Sequence, residues 1–137
     1  MVHFLTEAWL GALDEAVRDH RGLADLAGLA GGEPFVVEQV VIREGGGEFT
    51  YHLRVTDGSV GVSAGPAADT TIRFRQDEPT AREIASGRLS AQRAFMAGRL
   101  QVGGDLRAVI DRGPALASLA DVFATVRSQT DGLDPPP

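Results

Sequence analysis

Apolar residues recur along this chain with two different periods, and the change of period divides it into parts. Between residues 5 and 20, Leu5, Ala8, Trp9, Ala12, Leu13, Ala16 and Val17 fall at three- and four-residue spacings, with Glu7, Asp14, Glu15, Arg18 and Asp19 between them. That spacing predicts an amphipathic helix with one stripe against a core. GLADLAGLAGG, residues 22–32, predicts a second short helix closed by its glycine pair. The period then falls to two. Phe49, Tyr51, Leu53 and Val55 alternate with Thr50, His52 and Arg54, a strand with one buried face. Asp57-Gly58 suits a two-residue hairpin turn into SVGVSA, residues 59–64. Upstream, PFVVEQVVIRE is apolar on both alternating sets until Gly45-Gly46-Gly47, as expected of a strand inside a sheet. DTTIRFRQ points Ile72 and Phe74 inward and Arg73 and Arg75 outward. Taken in order, the four strands make a meander.

Helical signals return after Gln76. Asp77 is an N-cap, Pro79 suits a first turn and Gly87 ends the helix. Ser90 caps a short helix with Ala91, Ala94, Phe95 and Gly98 sharing one face and Met96 at its edge; RLQV is then a strand with Leu100 and Val102 on one side, and Gly103-Gly104 turns the chain. Asp105 caps a helix with Leu106, Val109 and Ile110 inward. Gly113-Pro114 interrupts it, and Leu116, Leu119, Phe123 and Val126 extend the apolar face to about Arg127. SQTDGLDPPP offers little to bury, so residues 1–127 are expected to form one domain and 128–137 a flexible tail.

Composition narrows the function classes. A domain of 137 residues buries roughly two-thirds of its unfolded surface, enough for one core and a small cavity. No apolar run nears the roughly 18 residues of a membrane span, and the N-terminus reads as a helix, not a leader, so a soluble cytoplasmic protein is expected. Cysteine, lysine and asparagine are all absent. Thiolate chemistry, a Schiff base, a phosphate-binding lysine and N-glycosylation are thereby excluded. Such Ala, Gly and Arg usage resembles that of chains from GC-rich bacterial genomes, by association and not by physical argument. A net charge of -6 argues against nucleic acid as a partner, although residues 73–112 carry eight Arg against five acids. A transient contact with an anionic membrane is the alternative to a solvated surface there.

The chemistry-bearing residues are sparse. His3, His20 and His52 are scattered, without a nucleophile elbow for a triad or the spacing of a metal site. The glycine clusters lack the order of a dinucleotide-binding loop and are explained as turns. Asp57, Asp69 and Asp105 each sit at a turn or cap. No catalytic group, metal or cofactor is expected.

The succession TDGSVGVSAGPAADTTIRFR, then GRLSAQRAFMAGRLQVGGDL and an apolar helix, resembles the sterol carrier protein type-2 domain over residues 5–127. Its most specific part is Gly87 to Leu106, where the order Gly, short helix, Phe, Gly, basic residue, Leu, strand, Gly-Asp and helix is met position by position. The resemblance implies an α/β domain of the α+β type, with helices on one face of a five-stranded, mostly antiparallel sheet enclosing an apolar tunnel. It also implies non-enzymatic binding and transfer of a small hydrophobic lipid: a fatty acid, acyl-CoA, sterol-like molecule or phospholipid. Phe95, Met96, Leu100 and Val102 are the expected local wall. Ile72 and Phe74 from the strand, with Val109, Ile110, Leu116, Leu119 and Phe123 from the last helices, complete the expected lining. The C-terminal DPPP is not a peroxisomal address.

Two alternatives stand beside the carrier. One is an enzyme on a hydrophobic substrate in the same cavity, with Asp57, Asp105 or His52 as acid or base. The other is a homodimer or the partner module of a larger lipid-metabolising enzyme. With helices on only one face, either Val36, Val40 and Ile42 or Phe35, Val37 and Val41 would be exposed as an interface.

Overall fold

The computed structural model describes residues 2–19, 35–56, 59–105, 107, 126–127 and 130–131. Its frame is a five-stranded sheet of β2 (Phe35–Ile42), β3 (Glu48–Thr56), β4 (Ser59–Ala64), β5 (Ile72–Asp77) and β6 (Leu100–Gly104). The spatial order is β4-β3-β2-β5-β6. Three junctions are antiparallel, and β2 pairs with β5 in parallel. The expected meander is therefore corrected. After β4 the chain crosses back and lays β5 on the far side of β2, which gives that two-sided apolar strand the centre of the sheet.

Turn chemistry sets the register. Arg43 N–H donates to the Gly47 carbonyl across a loop with Gly46 and Gly47 at φ 95° and 84°, values that glycine adopts without strain. Thr56 pairs with Ser59, which leaves two positions between β3 and β4, and Asp57-Gly58 itself lies outside the described residues.

α1 (Glu7–Asp19) seats Trp9, Leu10, Leu13 and Val17 in the core. The helix starts two residues later than the spacing predicts because Thr6 caps it, its carbonyl accepting from Leu10 N–H and its Oγ1 from Trp9 N–H. α1 also closes the sheet edge, since the Asp14 carboxylate accepts from Val62 N–H on β4. α2 (Glu78–Ser86) begins as expected: the Asp77 carboxylate accepts from Thr80 N–H, Pro79 lies in the first turn, and Gly87 ends the helix at φ 84°. α3 (Ala91–Met96) is capped by Ser90. All three helices send their buried apolar residues into one cluster with Phe35, Val37 and Val41 of β2 and Tyr51, Leu53 and Val55 of β3.

The other face of the sheet is not the exposed apolar patch expected. Val36 and Val40 are 0% and 6% exposed, while Phe35, Val37 and Val41 are buried on the helix side. The segment after β4 closes on the central strand, with Val36 N–H donating to Thr71 Oγ1 and Thr71 N–H to the Val36 carbonyl. Arg54 pairs with Asp69, Arg73 with Glu38 and Arg75 with Glu48 on the same face, so their aliphatic stems lie over the strands. The patch that motivated an interaction module is thus covered.

Two further expectations change. Gly103 and Gly104 are not a turn but the last rungs of β6, opposite Arg73 and Ile72. Within the expected tail, the two described residues form β7 (Thr130–Asp131), which pairs in parallel with β1 (Val2–His3). Thr130 is buried, and its hydroxyl donates to the Val126 carbonyl. The expected helices at 22–32 and beyond Asp105 lie outside the described residues, apart from Arg107, whose N–H donates to the Asp105 carboxylate, and residues 126–127.

Candidate functional site

Between α1, the helix-facing side of β2, β3 and β5, and α2 the described residues leave a cavity of about 30 Å³. Phe4, Leu5, Trp9, Val41, Ile84, Ala81 and Ala85 give its apolar walls, and Gln39, Tyr51 and Gln76 its polar groups. The aromatic wall is a stack of edges. Trp9 meets Phe4 at 4.9 Å and 80°, and Tyr51 at 5.4 Å and 88°, the perpendicular arrangement that ring quadrupoles favour. Leu5 is fixed in the left-handed region at φ 60°, unusual for a non-glycine residue. Its carbonyl accepts from the Arg43 guanidinium at 3.0 Å, and its buried side chain anchors the turn into α1.

The polar groups are placed by strand register. Gln39 lies opposite Tyr51 across β2 and β3, and opposite Phe74 across β2 and β5. Gln76 stands two residues beyond Phe74 on the same face and donates through Nε2 to Gln39 Oε1 at 3.0 Å. The Tyr51 side chain is buried, and no hydrogen bond to its hydroxyl is made by the described residues. Burial pushes its pKa well above the ordinary tyrosine value, so the phenol remains a neutral donor. A signal for these residues is present in the sequence. Both strands carry a glutamine at a core-facing position of an otherwise apolar alternation, Phe35-Val37-Gln39-Val41 and Ile72-Phe74-Gln76. The two-sided apolarity of β2 masks it, because that pattern points to burial alone.

The residues expected to line a tunnel are distributed differently. Ile72, Phe74 and Leu100 belong to the core cluster and Val102 packs against it, but none of the four borders the cavity. Phe95 and Met96 are 55% and 78% exposed. The expected inward face of α3 is corrected to Ala94 alone, with Ala91 and Gly98 also exposed. A helix of six residues makes fewer than two turns, so a spacing of three or four cannot orient it, and the close packing of Ala94 does. Val109, Ile110, Leu116, Leu119 and Phe123 lie outside the described residues.

The candidate acids and bases are elsewhere. His52 is on the sheet face opposite the cavity, where Nδ1–H donates to the Gly65 carbonyl at 2.8 Å. Asp69 forms a two-point pair with Arg54, both contacts at 2.6 Å. The buried Glu38 carboxylate would be raised by desolvation, but Arg73, Ala67 N–H and Thr70 together hold it below the ordinary range. Among the described residues no three histidines or carboxylates are grouped to hold a metal, and no helix is long and apolar enough to cross a membrane.

The profile of the SCP-2 sterol transfer family matches residues 12–112. This chain belongs to that family. Among solved structures, a Thermus thermophilus protein described as possibly a sterol carrier protein superposes with a TM-score of 0.72 and 22% identity, covering 96% of this chain and 93% of that one. A sterol carrier protein 2 gives 0.67 and 18%, covering 91% and 98%. Yarrowia lipolytica sterol carrier protein 2 in its apo form gives 0.61 and 17%, covering 86% and 88%. At these identities the likeness establishes the fold. A search of curated protein sequences gave no match.

Proposed function

We propose that this member of the SCP-2 sterol transfer family binds a small hydrophobic lipid between α1, α2 and the sheet and carries it without turnover. The carrying observation is a cavity with aromatic and aliphatic walls and no charged residue among those that line it. Acid or base catalysis needs a group that exchanges protons near the working pH, and the Tyr51 phenol, raised by burial, does not. As described the cavity holds about one water, whereas a pocket for a drug-sized ligand takes roughly 300 to 1,000 Å³. Lipid entry therefore parts α1 and α2 from the sheet. The lining expected along Ile72, Phe74, Leu100 and Val102 is the path along which the cavity lengthens.

Exchange with an anionic membrane is assigned to α3. Phe95 and Met96 project from a segment, residues 84–104, that holds Arg88, Arg93 and Arg99 and no acid in a chain of net charge -6. Arg99 shares its charge with Glu83. Apolar side chains among cations suit an anionic lipid surface better than a second copy of an acidic chain.

Trp9 is the only tryptophan and lines the cavity, which makes it the reporter. Titration with long-chain alcohols, esters and acids should shift its emission, and native mass spectrometry should retain one lipid per chain. Unchanged emission with every lipid and no retained mass would overturn the carrier. Sedimentation with phosphatidylglycerol vesicles should bring down the wild type but not Phe95→Ser/Met96→Ser. Equal sedimentation of the two, or a stable dimer in light scattering, would count against α3 as the contact.

A further inference from the structure

We infer that the polar end of the ligand is uncharged, a hydroxyl or carbonyl held by Tyr51, Gln39 and Gln76, so that the chain selects neutral oxygenated lipids over ionised fatty acids. This rests on the lipid-binding reading and specifies its chemistry. Three side chains with hydrogen-bonding capacity converge on one apolar cavity, and only one bond is made among them, from Gln76 Nε2 to Gln39 Oε1. That leaves the Gln39 amide N–H groups as donors and Gln76 Oε1 as an acceptor. The Tyr51 hydroxyl makes no hydrogen bond among the described residues, and since none of the described fully buried side-chain oxygens and nitrogens lacks a partner, it keeps open access at the cavity that its side chain lines. A long-chain alcohol satisfies both a donor and an acceptor at one end of an apolar space, and a ketone or ester accepts from the donors.

A carboxylate would meet the opposite situation. None of the ten lining residues carries a charge. The nearest cations among the described residues stay outside the lining and are held by other groups: Arg43 donates to the Leu5 carbonyl and lies 4.9 Å from the Phe49 ring centroid, Arg127 donates to the Ala85 carbonyl, Arg82 pairs with Glu44 and Glu78, and Arg99 donates to Thr80 and pairs with Glu83. The Asp77 carboxylate is taken up as the N-cap of α2. An ionised head would lose its hydration without gaining a counter-charge, which low-dielectric surroundings penalise heavily. An alcohol of the same chain length loses far less and gains the Tyr51 and glutamine contacts.

The test uses the full chain at pH 8.5 with Nile red as a neutral probe and 1-hexadecanol, methyl palmitate and palmitate as competitors. Hexadecanol and methyl palmitate should displace the probe at concentrations at least tenfold below palmitate. Tyr51→Phe keeps the ring and removes only the hydroxyl, so it should fold, retain Nile red binding and weaken hexadecanol at least fivefold. Gln76→Leu, which removes the acceptor for an alcohol O–H, should likewise weaken hexadecanol and narrow its advantage over palmitate. Palmitate displacing as well as hexadecanol, or a Tyr51→Phe variant with unchanged preference, would overturn the inference while leaving the carrier standing. Absence of binding by Nile red and all three lipids would instead overturn the carrier, and the inference with it.

Discussion

A Cβ placed on Gly104 would stand 2.4 Å from the Thr71 carbonyl oxygen and 3.3 Å from the Ile72 Cα, at a φ of 90°. Both obstacles are backbone, so neither can rotate away. Gly104→Ala should destabilise the protein by about 2 to 4 kcal/mol through strain at a left-handed φ and a forced separation of β5 from β6. Gly103 has open space around its α-carbon, and Gly103→Ala should cost under about 0.5 kcal/mol. Urea unfolding of the two variants side by side checks the contrast. Equal losses would mean that the β5–β6 register is wrong.

Glu38 gives the protein a specific acid sensitivity. The carboxylate is 2% exposed, and it accepts from Arg73 Nε at 2.5 Å, Ala67 N–H at 3.0 Å and Thr70 Oγ1 at 3.2 Å. A pKa held below the unfolded value means stability that is fully present above the unfolded pKa and lost as pH falls through the folded one. Glu38→Gln should therefore cost about 1.5 to 3 kcal/mol at pH 7, and the gap to wild type should close toward pH 3. Asp69 and Asp77, also held low by their partners, titrate in both proteins and cancel in the difference. A gap independent of pH would show that Glu38 acts through shape and not charge.

The neighbours Ala94 and Phe95 should respond in inverse order to their size. Ala94 is 0% exposed, and Ala94→Leu should overpack the site by about 1 to 3 kcal/mol. Phe95→Ala, with a ring more than half exposed, should cost under about 1 kcal/mol, and Met96→Trp should fold normally. Thermal unfolding of the three variants decides it; a loss of about 3 kcal/mol or more at Phe95 would place that ring in the core.

Thr130 joins the chain ends. Its hydroxyl donates to the Val126 carbonyl at 2.8 Å in buried surroundings, and its backbone pairs β7 with Val2 on β1. Thr130→Val keeps the volume and should cost about 1 to 2 kcal/mol. Truncation after Ser128 should cost at least as much while leaving unfolding cooperative. An unchanged denaturation midpoint in the truncated protein would restore the picture of a loose tail.

Sequence alone settles what is local. Alternation marks β3, β4, β5 and β6, and two-sided apolarity marks β2; the caps Asp77, Ser90 and Gly87 fall where their chemistry requires, and the order of Gly87 to Leu106 carries the family resemblance. These readings succeed because period, capping and turn conformation involve residues within a few positions of each other. Three matters rest instead on tertiary contact. The crossover that lays β5 parallel to β2 depends on which strand buries both faces best, a comparison between distant segments. The orientation of α3 depends on the fit of Ala94 against β6 and its neighbours, because six residues hold too little periodicity to specify a face. The candidate site depends on the first of these. Gln39, Tyr51 and Gln76 lie 12 and 25 residues apart in sequence, and only the register of three strands beneath Trp9 brings two amides and an unpartnered phenol to one cavity.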